Sequence, residues 1–206
     1  MKRISAVVAG LLVGGVVWSS TASANLVVNG DFENDLNSWT AVQRVVTETS
    51  QRYIDLAGAT GDTGTGRFAS FGSANDPALG SLSQTIATVA GESYVLTFGY
   101  GGFSYVTTSS RNQALRVTIG ATTRDITTQE LNRDLAKVLQ PFSFQFAAAG
   151  SSTLIRFSDV SSETLAIDGL LDNVRVEAVP LPGAFALLFA GLFAWLAIGP
   201  RRTAKG

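Results

Sequence analysis

Tyr94-Val95-Leu96-Thr97-Phe98-Gly99-Tyr100 decides how this chain is read. Large apolar side chains fall at every second position, and Val95, Thr97 and Gly99 occupy the opposite parity. Period two marks an extended strand with one face in a core. Gly101-Gly102 closes the run and Ala90-Gly91-Glu92 precedes it as a turn. Working outward, the same parity recurs. Leu115, Val117 and Ile119 alternate with polar residues, and Phe142, Phe144 and Phe146 alternate with Ser143 and Gln145. Leu82 to Ile86, Gly66 to Gly72, Thr153 to Phe157 and Leu170 to Glu177 read as further strands. Val42 to Val46, Tyr53 to Leu56 and Leu26-Val27-Val28 are shorter β-prone pieces.

Turn residues separate these runs. Asn29-Gly30-Asp31 is a turn signal, and Gly58 to Gly66 is too rich in glycine for any regular element. That loop has no Lys-Ser/Thr and no following helix, so it is not a phosphate loop. Phe103 to Gln113 and Ser158 to Thr164 are polar loops. Thr127 to Lys137 is the one helix-like window. Eight to ten short strands without useful helices predict an all-β fold, an antiparallel β-sandwich of jelly-roll type. Parallel α/β is disfavoured because no helices of useful length separate the strands. No internal repeat is present.

Composition narrows the chemistry. The chain has no cysteine and no histidine. Ser-His-Asp and Cys-His catalysis, disulfides and His-ligated zinc are thereby excluded. All 16 acidic residues lie between 25 and 179, with 10 of the 15 basic ones, so that span carries 10 minus 16, or −6. An acidic domain disfavours nucleic acid as a partner. Neutral sugars and divalent cations remain compatible with it. A carboxylate-based glycoside hydrolase needs two acids at a set separation, and no acidic pair sits in a recognisable motif.

Both ends read as addresses. Lys2 and Arg3, the apolar Ile4 to Trp18 and Ala22-Ser23-Ala24 have the layout of a secretory signal peptide over 1–24. At the other end, Val179-Pro180-Leu181-Pro182 leads into an uncharged run at 183–199 and a basic tail at 200–206 with Arg201 and Arg202. The run predicts a single transmembrane helix of roughly 25 Å, with the tail cytoplasmic. Residues 25–178 are then one domain.

The C-terminal parts, in that order, resemble the PEP-CTERM sorting signal of Gram-negative bacteria, with Leu181 where the usual V-P-E-P has Glu. The resemblance implies processing by an exosortase-type membrane protease. It also implies transient anchoring on the periplasmic side of the inner membrane, then release to the cell surface or extracellular matrix. A second resemblance brackets the domain. Asn25-Leu26-Val27-Val28-Asn29-Gly30-Asp31-Phe32-Glu33 with Trp39, and the closing Leu171-Asp172-Asn173-Val174, resemble jelly-roll carbohydrate-binding and galactose-binding-like modules. It implies that the first and last strands lie together around a structural calcium ion, with Glu33 and Asp172 as side-chain ligands. Asp172 also shares parity with Leu170, Val174 and Val176, so alternation points it inward. A buried carboxylate needs a metal, hydrogen bonds or a cation such as Arg175 or Arg52.

Sugar binding by such sandwiches rests on aromatic platforms beside polar groups. Candidates are Trp39, Tyr53, Phe103 and Tyr105, with Arg111, Asn112 and Gln113 nearby in sequence. The expected function is a non-catalytic, glycan-binding surface or matrix protein. A purely structural matrix component without a small ligand is the first alternative, and a carboxylate-based glycoside hydrolase the second.

Overall fold

The computed structural model describes residues 24–72, 79–106, 112–128, 131–162 and 165–180. The signal peptide, the apolar run, the tail and Arg111 lie outside them. So do Leu181 and Pro182 of the sorting motif, while Val179 and Pro180 follow the last strand. Among the described residues no helix is long and apolar enough to cross a membrane.

The elements are β1 (Thr40–Val42), β2 (Val45–Glu48), α1 (Ser50–Ala57), β3 (Phe68–Phe71), β4 (Ser81–Ala87) and β5 (Ser93–Ser104). They continue with β6 (Ala114–Ile119), β7 (Thr122–Thr127), β8 (Leu131–Asn132), β9 (Gln140–Ala147), β10 (Ser152–Asp159) and β11 (Ile167–Ala178). Two sheets result. The first has the order β1-β4-β10-β6-β7; the second runs β2-β3-β11-β5, with β8 and β9 both on the far side of β5. Neighbours are antiparallel except for the two-residue pairing of β8 with β5. The expected antiparallel sandwich is what forms.

The stretch at 94–100 is the middle of β5, the long central strand of the second sheet. Its large residues Tyr94, Leu96, Phe98 and Tyr100 are all buried. They meet Leu82, Leu115, Val117, Ile155 and Phe157 of the first sheet, which are fully buried. Phe157 approaches Phe98 edge-on with ring centroids 5.1 Å apart. Each such side chain contributes about 1.5–3 kcal/mol by leaving water.

A second apolar cluster sits on the outer face of the second sheet. Helix α1 and a 3-10 turn at Leu135–Lys137 lie across one half of that face. Tyr53, Leu135 and Val138 pack there on Phe68, Phe103 and Leu170. The window 127–137, expected to be helix-like, is instead the end of β7, then β8 and this 3-10 turn. The reason is tertiary: Asp134 caps the 3-10 turn through the Ala136 N–H, and Leu135 and Val138 fill the outer cluster. Tyr53 to Leu56, expected as strand, is helical. Gly58 ends α1 at φ 60, donating its N–H to the Ile54 carbonyl.

Leu26-Val27-Val28 forms no strand. The Leu26 N–H donates to the Val176 carbonyl of β11 at 2.8 Å, but Gln84 intervenes on the other side, accepting from the Val28 N–H and donating to its carbonyl. Gly30 lies flat on β11 because the Val174 carbonyl occupies the space of a Cβ. The start of the domain therefore does lie along its last strand, as irregular chain held by a few bonds.

Candidate functional site

Because α1 and residues 133–139 cover only half of the outer face, the remaining half is left as a groove of about 580 Å³. Thr97 and Gly99 of β5, Asn173 and Arg175 of β11, and Ser143 of β9 line it, together with the apolar Phe98, Leu139, Pro141 and Phe142 and with Thr63. Strand parity selects these residues. Val95, Thr97 and Gly99 are the counterface of the buried Leu96, Phe98 and Tyr100, and Arg175 lies opposite Thr97 in the ladder. Ser143 lies opposite Thr97 from the other side. Hydroxyl, amide and guanidinium groups thus share one surface, with no carboxylate among the lining residues. The volume falls in the usual range for small-ligand pockets.

One end of the groove adjoins a carboxylate cluster. Asp172 is fully buried and accepts from the Asn173 N–H at 2.6 Å. Burial raises its pKa to about 6; Thr65 and the Asn173 N–H oppose the rise, and the charges of Asp31 and Glu33 add to it. Glu33 accepts from the Arg67 N–H at 2.8 Å and lies against Gly66, where a Cβ would collide with its carboxylate. Glu33 and Asp172 are therefore brought together, with oxygen donors only, which suits a hard cation. Among the described residues no group of three or more Asp, Glu, His or Cys converges as a metal cluster. Asp172 points not between the sheets but to the face of Asp168 and Leu170. An irregularity between Asp172 and Arg175 shifts the register, so Val174 and Val176 reach the core while Asp172 does not.

The aromatic candidates take a different role from the one expected. Trp39 is buried between Phe32 and Phe157, with centroids 5.5 and 6.2 Å away, and its indole N–H donates to the Asn29 carbonyl. Tyr53 is 1% exposed and Phe103 0%. A ring with no free face cannot stack on a sugar, so these three are core residues. Tyr53, Phe103 and Tyr105 do cluster, at centroid distances of 4.6, 5.7 and 5.0 Å, but under α1. The Tyr53 and Tyr105 hydroxyls both donate to Asp168, at 2.8 and 3.0 Å, and Tyr53 also bonds Ser70. Burial raises the pKa of Asp168, against the phenol donors that lower it. Asn112 is exposed and away from the groove lining; Gln113 is buried and accepts from the Ser161 hydroxyl.

A smaller hollow of about 450 Å³ lies beside α1, lined by Glu48, Arg52, Asp55 and Arg67 among others. Its acids are engaged: Glu48 with Arg52 at 2.7 Å and Asp55 with Gln51 at 2.8 Å.

Sequence reasoning missed Thr97, Ser143 and Arg175. Each is a polar alternate on a strand, indistinguishable from a solvated face until the strand order places three of them side by side.

No curated protein matches the chain. Among solved structures it is similar to TmCBM61 in complex with beta-1,4-galactotriose, at a TM-score of 0.51 and 13% identity, covering 76% of this chain and 100% of that one. It is similar to the enzymatically active domain of tailspike protein 4 of bacteriophage CBA120 at a TM-score of 0.51 and 15% identity, over 75% of this chain and 21% of that one. A Family 16 Carbohydrate Binding Module-2 follows at 0.49 and 15%, over 74% and 99%. At these identities the likeness is one of fold. The profile of one family, described as "Protein of unknown function (DUF642)", matches residues 74–177, about half of the chain, and the chain belongs to that family.

Proposed function

We propose that this chain is an exported, non-catalytic β-sandwich protein that holds a segment of polysaccharide in the groove on the outer face of its second sheet. The observation that carries this reading is the groove itself: a largely apolar, pocket-sized hollow on a sandwich, with a few hydroxyl, amide and guanidinium groups and no carboxylate among its lining residues. The fold likeness to a module solved with a galactotriose supports it. Hydroxyl and amide groups on a rigid sheet fit sugar hydroxyls without ordering a loop, which keeps the entropic cost of binding low.

Export and sorting complete the reading. The signal peptide over 1–24 and the PEP-CTERM-like segment over 179–206 would carry the domain across the inner membrane, tether it, and hand it to an exosortase-type protease. One structural calcium ion, held by Glu33 and Asp172 with backbone carbonyls, would neutralise the charge gathered there.

The test is retention of the full chain on a panel of immobilised polysaccharides. Wild type should be retained on at least one polymer. A Thr97→Met, Ser143→Met double variant, which removes two hydroxyls and fills the groove, should pass through with an unchanged melting midpoint. Retention of the double variant equal to wild type would remove the groove as the site. The mass of the protein recovered from cell-surface fractions tests both cleavages at once.

A further inference from the structure

Arg175 is the one charged side chain lining the groove. Most other cations of the domain are engaged. Arg52 pairs with Glu48, Arg67 with Asp35, Arg116 with Asp125 and Lys137 with Asp134. Arg133 donates to the Tyr105 and Ala57 carbonyls, and Arg124 lies over the Phe144 ring. The Arg175 side chain makes no hydrogen bond or ion pair among the described residues, although the domain carries a net charge of −6 over 25–179. Glu177 shares its strand and parity but lies opposite Val95, outside the groove lining and beyond ion-pair distance. A free guanidinium in an acidic domain, set among hydroxyls, is a recognition element without its counterpart.

From this, and resting on the groove as the glycan site, we infer that the ligand is a polysaccharide bearing carboxylated sugars, with the uronate carboxylate on Arg175 and neighbouring hydroxyls on Thr97, Ser143 and Asn173. The planar guanidinium fork matches a carboxylate bidentately, and charge-assisted bonds of this kind are about twice as strong as neutral ones. The domain's charge limits the density of carboxylates. One cation cannot offset a net −6, with Asp172 and Glu33 at one end of the groove, against a polymer charged at every residue. Charges more than about 8 Å away are screened, and a single carboxylate in contact with Arg175 is attracted. The fitting polymer therefore spaces its uronates among neutral sugars.

Xanthan, whose carboxylated sugars are diluted by neutral ones, is a suitable probe, compared with the same polymer after chemical reduction of its carboxyl groups. The full chain should bind native xanthan about ten- to a hundredfold more tightly than the reduced form, and rising salt should narrow the gap. Arg175→Gln should bring native xanthan down to the reduced polymer's level. Arg156→Gln, which makes the same charge change on the exposed face of β10, should leave it unaltered. Equal binding of the native and reduced polymers, or an Arg175→Gln variant that binds like wild type, would overturn the carboxylate inference while sparing the glycan reading. Failure to bind xanthan in either form overturns the inference too. Failure on every polymer of the wider panel takes the glycan reading with it.

Discussion

Trp39 and Arg175 illustrate opposite limits at the scale of single residues. Trp39 follows a polar turn in the sequence, which made its ring look available. In the fold the ring is 8% exposed, with its N–H satisfied on Asn29. Trp39→Ala should cost about 3–5 kcal/mol, read as a drop in the urea midpoint with an unchanged slope. Arg175 reads in the sequence as a candidate partner for Asp172; its place beside Thr97 and Ser143 depends on which strands flank it, and that order is not written locally. Glycines also carry hidden constraints. At Gly101, in the half of β5 under the 3-10 turn, a Cβ would fall on the Val138 carbonyl. Gly101→Ala should therefore destabilise by about 1–3 kcal/mol in the same assay, although alanine is ordinarily tolerated in strands.

The strands were legible as elements wherever alternation was strong, as in β4, β5, β6, β9, β10 and β11. Of the exceptions, β7 forms a hairpin with β6 but buries only Ile126, so it shows no alternation, and the others are pieces held by partners remote in sequence. Helix α1 is eight residues long, too short to be stable alone, and its Tyr53 and Ile54 read as β-prone. Its docking decides its form: Tyr53 reaches Asp168, 115 residues away, and stacks on Phe68. That contact gives α1 a pH dependence. Burial lifts the Asp168 pKa above its ordinary value of 3.8, so the native state binds a proton more readily than the unfolded chain. The group's contribution is then fully present below the unfolded pKa and is lost as pH rises through the raised native value. Asp168→Asn lacks this titration. The stability of wild type relative to the variant should thus be largest near pH 3 and decline as pH rises above 4, measured by denaturant unfolding at each pH. A difference that stays flat with pH would show that Asp168 does not titrate across folding.

For the molecule as a whole, the sandwich class was readable from the spacing of turns, whereas the half-covered outer face was not. It depends on α1 and residues 133–139 crossing the sheet. The sequence has 53–56 as a strand piece and 127–137 as one helix-like window, with nothing to say that either lies on the sheet. Calcium belongs to this scale, because Glu33 and Asp172 join the two ends of the domain. With calcium at about 100 times its dissociation constant, a site between them should add roughly 3 kcal/mol. EGTA should then lower the melting midpoint by roughly 5–10 °C, with recovery on adding calcium. An unchanged midpoint would count against the ion. The irregular first segment has a mechanical corollary. Leu26 bonds Val176 and Gly30 bonds Val174, so the two chain directions oppose and both flanks leave from one end of the sheet. Tension applied between the flanks loads those bonds one after another rather than together. The domain should peel open at low force, with residues 25–30 detaching from β11 before the sandwich yields.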